Sequence, residues 1–150
     1  MIYHVVDLGR DYHGKIYDFA EARNSFLQYL PDNEYILYKD SDVEISKMLE
    51  RHLNWLEPKF PWYDIRQINY VNGRFIQLGN PFFTGVLASN KVIWRSKNGV
   101  KEKLYPRNPH GVIDLPLIHN HVGPTTHWET NPPRVVLALR KCYEILRYGF

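Results

Sequence analysis

Apolar residues in this chain come in short runs separated by polar punctuation, and the runs change period along its length. Ile2–Leu8 is β-branched and apolar, which predicts a first strand. A polar loop follows from Gly9 to Gly14. From Ile16 to Leu30, the positions Ile16, Phe19, Ala20, Leu27 and Leu30 recur at three- and four-residue steps and predict a helix, stopped by Pro31-Asp32-Asn33. Tyr35–Tyr38 is a continuous apolar run, the pattern of a strand buried on both faces. It leads directly into Lys39-Asp40-Ser41-Asp42. Ile45 to Leu56 predicts a second helix, capped by Asp42 or starting near Glu44, and Pro58 ends it.

The second half changes to strand signals. Ile65–Val71, Asn72-Gly73 and Arg74–Leu78 predict a hairpin, because Asn-Gly supplies the two positive φ angles of a type I′ turn. Val86–Ala88 and Lys91–Trp94 predict short strands, and Lys97 to Pro109 a basic loop. Val112–Ile118 predicts a last strand, at an edge or bulged because it contains Pro116. His119 to Asn131 reads as a histidine-bearing loop. Asn131-Pro132-Pro133 then opens a terminal helix with the stripe Val135, Val136, Leu139, Tyr143 and Leu146. The order β-α-β-α followed by strands predicts an α/β fold with a mixed central sheet flanked by helices.

The length of 150 residues suits one domain with a real core. The net charge of +3 conceals an asymmetry: residues 1–64 carry 7 basic and 12 acidic side chains, and residues 65–150 carry 12 and 4. The division allows a cleft within the one domain between an acidic half (1–64), suited to a cation, and a basic half (65–150), suited to phosphates, unless the imbalance has no role. The single cysteine, Cys142, excludes an intramolecular disulfide. With no run of 18 apolar residues and no signal-peptide pattern, the expected location is cytoplasmic. Arg140, Lys141 and Arg147, set among Tyr143, Leu146, Tyr148 and Phe150, allow peripheral membrane contact; the alternative is a helix packed on the sheet with its basic side solvated.

Three groups of residues carry potential chemistry. Asp40 and Asp42 stand at the carboxyl end of an apolar strand, where ligands bind in open α/β sheets. Paired carboxylates there suit Mg²⁺ or Mn²⁺, with Glu44 nearby; the structural alternative is a helix N-cap. Arg23 and Asn24 interrupt the apolar stripe of the first helix. They either make structural hydrogen bonds to a neighbouring strand or contact a nucleotide and its phosphates. Four of the seven histidines lie between His110 and His127. Of these, His119 is the expected ligand of a metal or diphosphate, and His121 could serve instead because it shares a face at the two-residue period.

Ala22-Arg23-Asn24, Tyr35–Tyr38 and Asp40-Ser41-Asp42 together resemble inverting glycosyltransferases of the GT-A fold, family 2. Their pattern is an Ala-Arg-Asn helix followed by a hydrophobic strand ending in Asp-x-Asp. Lys103-Leu104-Tyr105-Pro106-Arg107-Asn108, with Ile118-His119 downstream, is similar to that family's Arg-Leu-Phe-Arg-Asn and Ile-His-Glu stretches. The match runs patchily from residue 16 to residue 122. The small size also resembles minimal GT-A proteins of archaeal viruses, which would place the chain in the host cytoplasm.

The resemblance implies a truncated GT-A sheet, a nucleotide-diphosphate sugar as donor and an unknown glycan, protein or lipid acceptor. It implies donor binding by Arg23, Asn24, Asp40 and Asp42. Mn²⁺ or Mg²⁺ would be held by Asp40, Asp42 and His119. Asn120 departs from the pattern, standing where the family often has glutamate, and only 21 residues precede Ala22. An inverting transfer needs a carboxylate base, for which Asp114 is the first choice and Glu129 the second. The competing readings are a basic nucleic-acid-binding module and a catalytically inactive GT-A scaffold. The nucleic-acid reading leaves the acids after Tyr38 unexplained.

Overall fold

In the computed structural model, residues 1–75, 82–97 and 100–122 are described, together with 138, 139, 142 and 146. β1 (Ile2–Asp7) is followed by a one-turn helix, α1 (Leu8–Asp11), then by α2 (Phe19–Leu27) and β2 (Glu34–Lys39). A two-residue turn leads to β3 (Val43–Ile45), and α3 (Lys47–Trp55) follows. The remaining elements are β4 (Trp62–Val71), β5 (Arg74–Phe75), β6 (Phe82–Ser89), β7 (Ile93–Lys97), β8 (Val100–Tyr105) and β9 (Gly111–His121). The main sheet is mixed, in the order β1-β2-β6-β4-β9-β3, with β5 paired to β4; β7 and β8 form a separate ribbon. The α/β class and mixed sheet agree with the sequence pattern. The proposed division at residue 64/65 falls inside β4, and strands of both halves interleave.

β2 is buried on both faces, and its side chains divide between two cores. Ile36 and Tyr38 join Ala20, Ala22, Leu27, Trp94 and Leu104 beneath α2 and the β7–β8 ribbon. Tyr35 and Leu37 join Leu49, Leu53, Ile65, Ile113 and Leu117 beneath α3. The apolar run therefore behaves as a strand between two layers.

Several boundaries differ from the pattern-based expectation, each for a local reason. The first long helix begins at Phe19, because the Asp18 carboxylate accepts from the Ala20 and Glu21 amides; Ile16 lies outside it. The Gly9–Gly14 loop opens with a helical turn, capped by Asp7 through the Gly9 amide. Asp42 does not cap the second helix: Ser46 does, accepting from the Leu49 amide, and Val43–Ile45 is a strand. The Asn72-Gly73 turn has φ values of 49° and 78°, as a type I′ turn requires.

The basic Lys97–Pro109 segment contains β8, whose pairing to β7 offsets its charged composition. β9 is bulged, one of the two arrangements its proline predicts, but it lies between β4 and β3 rather than at an edge, and it continues through His119 and His121, past the strand end at Ile118 that the sequence pattern predicts. Pro116 is accommodated by a register shift, and its carbonyl accepts the Ser46 amide. Leu139 and Leu146 are helical and exposed. The rest of the proposed membrane-facing helix, including Arg140, Lys141, Tyr143, Arg147, Tyr148 and Phe150, lies outside the described residues. Among described residues, no helix is long and apolar enough to cross a membrane.

Arg23 and Asn24 attach α2 to the ribbon. The Asn24 side-chain amide donates to the Trp94 carbonyl at 2.8 Å, and its oxygen accepts the Trp94 amide at 2.8 Å. The Arg23 guanidinium lies 3.0 Å from Glu102 and 4.5 Å from the Trp94 ring centroid. Burial pushes the adjacent Tyr38 hydroxyl well above the ordinary phenol range, against smaller opposing effects of Trp94 and Arg23.

Asn24→Ala should cost about 2–3 kcal/mol, since it strands two backbone groups of Trp94; urea unfolding measures this, and an unchanged midpoint would refute the attachment. Asp18 provides a pH test. Its folded pKa is held low, first by the Ser96 hydroxyl and then by the Glu21 and Ala20 amides. Its stabilisation is therefore present above the unfolded carboxylate range and is lost as pH falls below about 4. Thermal melts from pH 6 to pH 3 should fall less steeply for Asp18→Asn than for the parent chain.

Candidate functional site

The turn after β2 is fixed before any ligand is considered. β1 and β2 are parallel, so Asp7 and Lys39 end together and deliver the Asp40–Asp42 turn beside the end of β1. Asp7 is 5% exposed. One of its carboxylate oxygens accepts the Gly9 amide at 3.0 Å, and the other accepts the Ser41 hydroxyl at 2.7 Å. The Val43 amide donates to the Asp40 carbonyl, closing the turn. The middle residue of Asp-Ser-Asp is thus tied inward, and the two acids go to different places.

Asp42 meets β9. The β3–β9 register pairs Val43 with His119, and the Asn120 amide donates to the Asp42 carbonyl at 2.9 Å. That bond seats Asp42 between the side chains flanking Asn120. The Asp42 carboxylate lies 2.9 Å from His119 Nε2 and 3.9 Å from His121 Nδ1. One donor atom from each of these three side chains lies within 4.8 Å of the other two. Their side chains are 39%, 26% and 39% exposed, so the group opens to solvent.

The bulge in β9 decides which residue of β4 supports His119. Before it Ile65 pairs with Ile113, and after it Gln67 pairs with Leu117. The displacement is two residues, which keeps every side chain on its face. It places His119 beside Asn69, where the earlier register would have placed it beside Val71. His119 Nδ1 is 2.9 Å from Asn69 Oδ1, and the Gln67 side-chain amide donates to the same oxygen at 3.0 Å. Gln67 thereby sets the Asn69 amide with its oxygen toward the ring.

This arrangement could hold a divalent cation. Donors about 2.1 Å from one ion and at right angles lie roughly 3 Å apart. The 2.9 Å between Asp42 and His119 matches that spacing. Asn69 on the far ring nitrogen is the kind of outer partner that orients ligating histidines.

Of the three other residues assigned by sequence to the metal and acid–base roles, the two that are described stand apart from this group. Asp40 is exposed and is not one of the three clustered residues; His121 takes that place. Asp114 sits 3.2 Å from Arg66, which alternates with Ile65 and Gln67 and so points away from the face bearing Asn69. Glu129 and His127 lie outside the described residues. Arg23 and Asn24 have Glu102 and Trp94 as partners rather than Asp40 or Asp42. His110 stacks on Trp62 with centroids 4.3 Å apart and lies 3.4 Å from the buried Asp64, outside this group.

Asn69, Gln67 and Asp7 escaped the sequence reading. For the first two a signal existed: the positions Ile65, Gln67, Asn69 and Val71 share one strand face, apolar at its ends and polar between. No protein-family model matches the chain, and no curated protein matches it either.

Ser41→Ala should destabilise the protein by about 1–3 kcal/mol by leaving a buried Asp7 oxygen without its donor. Thermal unfolding checks this, and a parent-like stability would contradict the inward tie.

Proposed function

We propose that the chain is a metal-dependent glycosyltransferase domain of the GT-A type, similar to family 2, transferring a sugar from a nucleotide-diphosphate donor to an acceptor. The observation that carries this reading is the 2.9 Å approach of His119 to Asp42 across 77 positions of sequence. The resemblance implied that meeting from a strand-end histidine and an Asp-x-Asp motif. Support also comes from parallel β1 and β2 bringing their carboxyl ends to the turn, where α/β proteins receive ligands.

A divalent cation bound here would offset the negative charge developing on the leaving diphosphate. The chain's own part is positioning. Asp42 and His119 present two donors, Asn69 and Gln67 hold the imidazole plane, and the Asp7–Ser41 bond holds the turn against the sheet. Asp40 is exposed on the same turn and remains available to a ribose or sugar hydroxyl. Asp114 is bound to Arg66 on the face of β4 opposite Asn69, away from Asp42. That observation favours a second reading, donor binding without transfer.

Isothermal titration with UDP- and GDP-sugars, with and without Mn²⁺, tests the proposal. The expected result is binding that needs the metal and disappears in Asp42→Asn with the circular dichroism unchanged. Binding indifferent to metal, or none at saturating Mn²⁺, would overturn it. Release of nucleoside diphosphate in the presence of acceptor separates transfer from binding alone.

A further inference from the structure

The hydrogen-bond directions around His119 say more about the cation than the carboxylates do. Gln67 donates to Asn69 Oδ1, so that oxygen is an acceptor, and the His119 nitrogen facing it, Nδ1, must donate. With the Nδ1 proton directed to Asn69, the neutral ring turns its Nε2 lone pair toward Asp42, 2.9 Å away. Such an approach needs a positive charge between the two atoms, supplied either by a proton on a doubly protonated ring or by a cation that both atoms ligate. His121 adds a second imidazole: its Nδ1 faces the same carboxylate oxygen at 3.9 Å, and its Nε2 is buried without a hydrogen-bond partner. The donor set is therefore two nitrogens and one oxygen.

We infer that Asp42, His119 and His121 form a two-imidazole, one-carboxylate site that selects a nitrogen-preferring first-row transition ion, Zn²⁺ or Co²⁺, over Mg²⁺. Gln67 and Asn69 act as its positioning residues. The selection follows from ligand type. Imidazole suits the transition ions, whereas Mg²⁺ favours oxygen ligands and keeps its waters. Three protein donors also suffice to bind the ion without nucleotide, since no phosphate oxygen is needed to complete the protein's contribution. The inference deepens the proposed function by naming the cation class of the same site, yet it stands on the donor set and not on sugar transfer.

The test is direct titration of the metal-free full chain with ZnCl₂, MnCl₂ and MgCl₂ in the absence of nucleotide, with Co²⁺ absorption reporting the ligand field. One equivalent of Zn²⁺ should bind at least 100-fold more tightly than Mg²⁺. His121→Ala should weaken Zn²⁺ binding and alter the Co²⁺ spectrum. Asn69→Ala should weaken it by about 10- to 100-fold, and Asn69→Asp, which keeps an acceptor on Nδ1, should recover most of the loss. His4→Ala, on the exposed start of β1 beside Glu34, should bind as the parent does. Circular dichroism on each variant separates lost ligation from lost fold.

Mg²⁺ binding as tight as Zn²⁺, or unchanged Zn²⁺ affinity in both His121→Ala and Asn69→Ala, would overturn the inference. Zn²⁺ binding without any nucleotide-sugar binding would sustain the inference and sink the transferase reading. Nucleotide-sugar binding supported by Mg²⁺ alone would do the reverse.

Discussion

The antiparallel pairing of β3 with β9 is the constraint on which the site depends. β3 has only three residues, yet its register fixes Val43 opposite His119 and seats the Asp42 carbonyl on the Asn120 amide. A one-residue slip would turn His119 and His121 to the other face of the sheet. The short strand is held from both ends. Before it, Ser41 is bonded to the buried Asp7; after it, Ser46 caps α3 and donates its amide to Pro116 on β9. Leu49 and Leu53 of α3, both fully buried, then fasten that whole edge to the core.

The polar residues along the chain divide into those satisfied within the fold and those left facing solvent. Asn24 uses both ends of its amide on one backbone residue of β7, and the Arg23 guanidinium pairs with Glu102 and lies over the Trp94 ring. Such pairing keeps half-buried polar groups from destabilising the layer between α2 and the ribbon. The Asp42 group differs. Its members converge at 2.9 and 3.9 Å, remain partly open, and come from a turn and β9, with β4 supporting them. Convergence of ligating side chains at the rim of a sheet, where the core residues give way to Gln67 and Asn69, is an arrangement suited to a bound ion.

Much of the fold was legible in the chain because local signals and tertiary context agree there. Tyr35–Tyr38 reads as a doubly buried strand and is one; Asn72-Gly73 reads as a type I′ turn and has its angles. The failures have physical causes. β8 is rich in lysine and glutamate and gains its strand conformation from pairing with β7, which local propensity does not encode. β9 continues past Pro116 because a two-residue register shift absorbs the missing amide, so His119 and His121 stay on one strand. The meeting of Asp42 with His119 was expected through resemblance. His121 as third member, and the Gln67–Asn69 support, follow from a cross-strand register that a single sequence does not display. Arg23 and Asn24 show the opposite lesson: unusual polar residues on an apolar stripe had a structural partner.

The central claim is that a cation sits among Asp42, His119 and His121 and that the rest of the molecule positions them. Paramagnetic broadening of amide resonances during Mn²⁺ titration tests it most directly. The account predicts early loss of the Asp42, Val43, His119, Asn120 and Asn69 signals while those of Trp94 and Leu104 in the ribbon stay sharp. Broadening centred on another part of the chain, or spread evenly over it, would contradict the account.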